Sequence, residues 1–264
     1  MKNTRSYQVV SGLVCVLATI LFMFPLCIMG WRSFQNGGLP NYQKVFDSYN
    51  LILNFWASIK IVGGTLIVVA ICVSLAAFAF SKLRFPGKKA LYYLLLSGMM
   101  IPTAATIFPL FQIVKGLNLL GSTLSLILPY ATASCCFNLM ILKNYYDAIP
   151  NEMMQAAHID GASKRQIFTS IMMPIAMPGL SVVLIQTFLS AWNELQMAKT
   201  FITDPVRQPI SIIPIRFAQT VSSINFTTEV MYAALVICLI PVIVFYVIAA
   251  KFLVAGLTNG AIKG

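Results

Sequence analysis

The sequence predicts an all-α membrane protein, with six transmembrane helices and both termini on the cytoplasmic side. Three observations lead there. The 264 residues are 59% hydrophobic and only 9% charged, against roughly 25% charge in soluble domains. Such a chain cannot cover a globular surface with polar groups, so lipid is one of its solvents. Next, nearly uncharged runs recur, each about the 20 residues that a helix needs to cross a hydrocarbon core of about 30 Å. Finally, the runs are continuous. A transmembrane β-barrel would show alternating segments of about ten residues, and a continuous apolar run in lipid must be helical to satisfy its own backbone.

The expected spans are 9–31, 57–80, 90–114, 122–142, 174–198 and 230–252, in a single domain over 1–264. The first follows a basic start, MKNTR, but is too long for a signal h-region and has no A-x-A-like site after it, so it reads as a retained helix. Lys and Arg fix the orientation. With a cytoplasmic N-terminus, eleven (Lys2, Arg5, Lys82, Arg84, Lys88, Lys89, Lys143, Lys164, Arg165, Lys251 and Lys263) lie inside. Six (Arg32, Lys44, Lys115, Lys199, Arg207 and Arg216) lie outside, and Lys60 sits near the outer mouth of the second helix. The net charge of +11 is therefore mostly a topology signal. Its spread over many short loops argues against a nucleic-acid partner.

Prolines interrupt the spans: Pro102 and Pro109 in the third, Pro129 in the fourth, Pro241 in the sixth. Each removes a helix hydrogen bond and can kink the helix. Gly63, Gly64, Ala76 and Ala77 read as helix-packing positions. Six cysteines lie in apolar runs without C-x-x-C spacing and read as packing residues. One histidine, His158, excludes a His-based metal site. No G-x-x-x-x-G-K-[ST] is present, and GLNLLGST at 116–123 lacks the phosphate-reaching lysine, so it reads as a turn. If ATP drives this protein, another chain binds it.

Polar groups inside the spans are candidates for a translocation path: Tyr130, Asn138 and Gln186 deep in the membrane, and Trp192, Asn193 and Glu194 near its outer end. For the last three an interfacial Trp belt with solvated neighbours is an equal reading. The outer segment 201–229 carries PISIIPIRF and an Asn225 glycosylation sequon. Its isoleucines are expected to pack on the protein itself in preference to an external partner.

The remaining polar stretch, 151–173, is expected to form a cytoplasmic helical hairpin. Asn151 after Pro150 is a good N-cap, and Glu152 favours the helix dipole. Gly161 suits the left-handed position that ends the first arm. Ser163 to Gln166 has the capping-box pattern. Ile167, Phe168, Ile171 and Met172 give the second arm an apolar face, and Pro174 can open the next span. Ala156 and Ala157 are small enough to let another surface approach closely.

This hairpin resembles a known family. Q-A-A-x3-G-x9-I-x-M-P, from Gln155 to Pro174, is similar to the E-A-A-x3-G-x9-I-x-L-P signature of permease subunits of binding-protein-dependent ABC importers. IPNEMMQAAHIDGASKRQIFTSIMMP, AWNE at 191–194 and the tail GLTNGAIKG at 256–264 resemble the carbohydrate-uptake branch. The resemblance covers almost the whole chain. Gln155 stands where the family carries Glu, Met154 at another frequent acid, and Met173 replaces Leu.

The resemblance implies the type I importer permease architecture, in a bacterial or archaeal cytoplasmic membrane. It implies a coupling role for Gln155, Ala156, Ala157, Asp160, Gly161, Phe168 and Pro174, seated on a partner ATPase. ATP and Mg would be bound by that partner, with no cofactor on this chain. The implied partners are two ATP-binding subunits, a second and different permease, an extracytoplasmic solute-binding protein and the lipid bilayer. The implied solute is a sugar, oligosaccharide or polyol. A self-contained secondary carrier is the competing reading, which would need its own ion site.

Overall fold

The computed structural model describes residues 4–220 and 227–261. The Asn225 sequon and the last residues of the tail motif lie outside these. The described chain is helical throughout. Its helices are α1 (Thr4–Phe34), α2 (Leu39–Ser48), α3 (Leu51–Lys82), α4 (Lys88–Ser97), α5 (Thr103–Gly116), α6 (Leu124–Asp147) and α7 (Asn151–Ile159). They continue as α8 (Lys164–Ile175), α9 (Met177–Asn193), α10 (Gln196–Phe201), α11 (Ile213–Thr220) and α12 (Thr228–Ala261). Four helices are long and apolar enough to cross a membrane, and six spans result if each of two bent pairs counts as one.

The first bend falls at an expected proline interruption, and the second moves the start of a span. The run at 90–114 is not a straight helix: α4 and a 3₁₀ turn at Gly98–Met100 meet α5 at 103°. Pro102 disfavours helical backbone in the residue before it, and Ile101 is extended there (φ −84°, ψ 117°). The second bend, 74°, separates α8 from α9. Pro174 therefore ends the hairpin, and Pro178 occupies the first turn of the membrane helix instead. Neither proline can donate a backbone N–H to the turn before it. Within α8, Ile167–Met172 widens into a π-helical stretch that contains Ser170, whose carbonyl cannot take an α-helical bond from Pro174.

The chain divides into two compact units, 1–51 with 213–241 and 52–212 with 242–264. In the first, α1 leads into α2 through a turn with Gly38 at φ 63°. Asn41 is buried and its Nδ2 donates to the carbonyls of Ser33 and Gln35, both at 2.9 Å. Tyr42 and Ser33 share a hydroxyl bond of 2.6 Å, and Asn36 donates to Glu229 at 2.9 Å. Tyr49 meets the edge of the buried Phe217 ring, with centroids 5.2 Å apart.

The second unit is built on α3, α6 and α9. Val69, Val73, Ala77 and Phe78 of α3 pack with Leu139, Leu142 and Tyr146 of α6 and with Leu180 and Val183 of α9. Two glycines permit this closeness. A Cβ on Gly64 would stand 2.6 Å from Ile127 Cδ1, and one on Gly179 would enter the Tyr145 ring. Gly63 has open space at its Cβ position, so only one of the adjacent pair serves packing.

Loops expected on the same side of the membrane meet each other. At the outer end, Asn54 Nδ2 donates to the carbonyls of Pro205 (2.8 Å) and Gln208 (2.7 Å), while Ser58 Oγ accepts from Ile210 N–H at 2.8 Å. The expectation for PISIIPIRF holds in burial: Ile210, Ile212, Ile213 and Phe217 are buried and Ile215 is half-buried.

Candidate functional site

The hairpin forms as the sequence directs. Gly161 has φ +81°, the left-handed conformation that closes α7. Ser163 and Gln166 make both halves of the capping box. The expected side-chain cap at Asn151 is absent. Pro150 occupies the N-cap position, and Asn151 Oδ1 accepts instead from Lys82 Nζ at 3.0 Å. The same ammonium donates to Ile149 O at 2.5 Å. Ser81 Oγ donates to Asp147 Oδ1 at 2.5 Å, and Lys143 pairs with Asp147 at 2.5 Å. Lys88 Nζ closes the 81–89 loop on the carbonyls of Ser81 (3.0 Å) and Leu83 (2.8 Å). The start of the hairpin is thus tied to the ends of α3 and α6 through charge-assisted hydrogen bonds, the stronger kind.

The arms use their faces differently. Ala157, Ile167 and Met172 are buried in the core of this unit, with Met154, Ala162, Phe168 and Ile171 packed against it. Phe168 also stands 5.1 Å, centroid to centroid, from Phe78. The opposite face of α7 carries Glu152, Gln155, Ala156 and Ile159, at i, i+3, i+4 and i+7 spacing, which aligns them along the helix; all four are exposed. Ile159 is 86% exposed. Asp160, Gly161 and Pro174 are exposed as well. The expected close-approach pair therefore divides: Ala156 faces outward, and Ala157 seats the hairpin on its own membrane helices. Ile159 was not singled out in the sequence. Its placement seven residues after Glu152, in line with Gln155 and Ala156, was the available signal.

The second site is a cavity of about 440 Å³ lined by α6, α9 and their neighbours. Four expected path residues, Tyr130, Asn138, Gln186 and Glu194, line it together. Two do not. Trp192 is 6% exposed and stacks on Phe188 with centroids 5.4 Å apart. Asn193 turns away, its Nδ2 donating to Leu189 O at 2.9 Å. A large indole lowers its energy by packing among rings, and a helical Asn can satisfy its amide on the preceding turn. Ser134, Ser190 and Thr103 also line the cavity and were missed. For the two serines the signal was spacing. Tyr130, Ser134 and Asn138 are successive i+4 positions on α6, and Gln186 and Ser190 are i+4 neighbours on α9, with Glu194 one turn on.

Glu194 is fully engaged. One carboxylate oxygen accepts from Met197 N–H at 2.8 Å; the other accepts from Tyr130 O–H at 2.6 Å and Ala198 N–H at 3.1 Å. Glu194 itself is extended (φ −70°, ψ 133°). It ends α9 and caps α10, placing its charge at a helix N-terminus. Asn138 is 1% exposed, and its Nδ2 donates to Thr187 Oγ1 at 2.9 Å. Its Oδ1 is buried with no hydrogen-bond partner.

Residues 71–259 match the family model for binding-protein-dependent transport system inner membrane components. The chain is similar to the trehalose transport system permease protein SugB of Mycobacterium tuberculosis (strain CDC 1551 / Oshkosh). They are 33% identical over 257 residues, covering 94% of this chain and 93% of that protein. It is also 28% identical to the galactooligosaccharides transport system permease protein GanQ of Bacillus subtilis (strain 168), across 100% and 99% of the two chains. Among solved structures, it shares its fold with a chain of a bacterial ABC transporter involved in the import of the acidic polysaccharide alginate. There the TM-score is 0.79 at 20% identity, covering 95% of this chain and 98% of that one.

Proposed function

Because this chain belongs to the family of inner membrane components of binding-protein-dependent transport systems, a multi-pass family of the cytoplasmic membrane, we propose that it is the permease subunit of an ATP-driven importer for a sugar, oligosaccharide or polyol. The family favours this over a self-contained carrier. The observation that carries the coupling mechanism is the hairpin. Its outward face presents Gln155, Ala156 and a bare Ile159, while its inward face is locked into the core of α3, α6 and α9. An isoleucine standing exposed on the outward face suits a partner's apolar groove.

In this reading two ATPase subunits bind ATP and Mg and receive the hairpin. Their closure moves it as a rigid body, since Gly161, the capping box and the Lys82 bonds leave it little freedom. The motion reaches α3 and α6 through Lys82 and Asp147, and α9 through the turn at Ala176. A second permease completes the membrane unit, and an extracytoplasmic binding protein delivers the solute. Names of relatives such as the trehalose and galactooligosaccharide permeases support the solute class.

The test is purification in mild detergent with the proteins the chain associates with. An ATPase and a second permease should co-purify. Gly161→Leu forces a branched side chain into a left-handed backbone, at roughly 1–2 kcal/mol, and should lower solute-stimulated ATP hydrolysis at least tenfold while the helices remain inserted. Normal ATPase association and normal transport in that variant would remove the coupling assignment.

A further inference from the structure

We propose that the groove between the Lys60 end of α3, the start of α6 and the 202–207 loop binds an anionic phospholipid, with its phosphate between Lys60 and Arg207 and an acyl chain along α3. All of these segments belong to one compact unit. The proposal needs only that α3 spans a membrane, so it stands apart from the importer reading.

Depth is the first argument. Lys60 and Lys82 stand 22 positions apart on α3, with no charged residue between them. At 1.5 Å per residue that is about 33 Å, close to the thickness of a hydrocarbon core, about 30 Å. With Lys82 at one boundary of the core, Lys60 lies at the headgroup level of the other. Trp56 is exposed one turn before it, and Trp is a residue type that collects at that level. Deeper in the membrane the same face of α3 stays apolar and bare, with Ile67, Ile71 and Leu75 all exposed. An acyl chain whose headgroup sits at Lys60 runs down this stripe.

The second argument is a concave, positively charged rim. The groove has a volume of about 330 Å³, within the range of small-molecule pockets, about 300–1,000 Å³. Trp56, Ile202 and Val206 supply apolar walls, Lys60, Arg207 and Thr123 supply polar ones, and no acid lines it. A lysine reaching for the interface explains Lys60 alone. It does not explain Arg207, which the fold carries to the same groove from 147 residues along the chain. Asn54 holds the Pro205 and Gln208 carbonyls against α3, and Gly121 N–H donates to Phe201 O at 3.0 Å to fix the other rim. Arg207 Nε pairs with Asp204 at 3.3 Å, outside the lining, and both side chains are exposed. Water weakens such a pair, and the guanidinium keeps its two terminal NH2 groups for a second anion. Lys60 Nζ and the Thr123 hydroxyl bond to no other described residue. Thr123 also opens the 24-residue α6, whose dipole favours an anion there. Two cations and a hydroxyl donor at headgroup depth, beside an apolar stripe, match a phosphate with its acyl chains.

Photocrosslinking tests this on the full chain, purified with the proteins it associates with and placed in phosphatidylcholine nanodiscs. The probe is a trace of phosphatidylglycerol carrying a diazirine high on one acyl chain. Unlabelled phosphatidylglycerol, phosphatidylethanolamine and soluble glycerol 3-phosphate are the competitors. Label on each peptide is scored against label on α1, whose apolar window is fully exposed. Peptides covering 53–75 of α3 and 202–207 should carry the excess, and phosphatidylglycerol should displace it at least threefold better than phosphatidylethanolamine. Lys60→Gln and Arg207→Gln should each lower that excess about three- to fivefold, the worth of one cation near a lipid surface. Lys60→Arg should keep it, and Lys115→Gln, an exposed cation outside the groove, should leave it unchanged. Excess label that persists in both glutamine variants, or no excess in the parent, would overturn the site. Displacement by glycerol 3-phosphate as strong as by phosphatidylglycerol would make it a site for a soluble phosphate and overturn the lipid. Label found on a copurifying chain in place of α3 would show this face covered by a partner protein, which overturns the proposal as well.

Discussion

The hairpin and the cavity are chemical opposites. At the hairpin an apolar side chain, Ile159, is 86% exposed beside Glu152, Gln155 and Ala156. At the cavity, polar side chains such as Gln186 and Ser190 stand exposed on an apolar helix. Each runs against the preference of its expected surroundings, water for the one and lipid for the other. The two also differ in how they are held. The start of the hairpin is fixed by a charged side chain, Lys82, which donates to Ile149 O and Asn151 Oδ1. The cavity walls are fixed by close packing at Gly179 and Gly64 and by one buried amide–hydroxyl bond, Asn138 to Thr187.

The largest expected effect breaks the hairpin side alone. Ile159→Asp puts a charge where an apolar contact is proposed. A central interface residue is worth about 2 kcal/mol or more, so ATPase affinity should fall at least about thirtyfold in a pull-down titration. If ATPase binding persists, the outward face is not the docking face.

Next is the tie between the regions. Lys82→Met removes two hydrogen bonds and leaves the carbonyls of Ile149 and Asn151 without that donor. Charged hydrogen bonds are worth about 1.5–3 kcal/mol, so a lower Tm in detergent is expected. A merely structural loss would lower ATPase activity and transport in parallel. Loss of rigid transmission lowers transport per ATP hydrolysed, and that ratio is the measurement that decides. Lys82→Arg should restore part of it.

Glu194→Gln is smaller. The amide can keep one or two of the three bonds at 194, so a loss of about 1 kcal/mol in thermal stability is expected. Solute preference in transport should stay the same, because the carboxylate is engaged by Tyr130, Met197 and Ala198. A change in solute preference would return Glu194 to the solute path. Smallest of all is Gln155→Glu, which restores the family's usual acid on an exposed face. Surface changes of this kind stay within about 0.5 kcal/mol, so transport and ATPase binding should match the parent.

Local chemistry was legible in the sequence wherever one residue type decides a conformation. Gly161 at φ +81°, the Ser163–Gln166 box and the proline breaks follow from the backbone preferences of the residues themselves. Six apolar runs were legible because hydrocarbon accepts little else. Which way a side chain points was not, because that depends on which helix faces which. Sequence alone left Ala156 and Ala157 equivalent; packing of α7 on the α3, α6 and α9 core buried one and exposed the other. Asn151 looked like a cap until the fold brought Lys82 to it across 69 residues. Trp192, Asn193 and Glu194 looked like one polar group; Trp192 and Asn193 turn back to Phe188 and Leu189 within α9, and Glu194, where α9 ends, meets Tyr130 of α6. Composition and local conformational energy set the solvent, the helices and the breaks. The tertiary structure alone decided the faces, because long-range contacts determine which polar groups are satisfied inside the chain and which, like Asn138 Oδ1, are not.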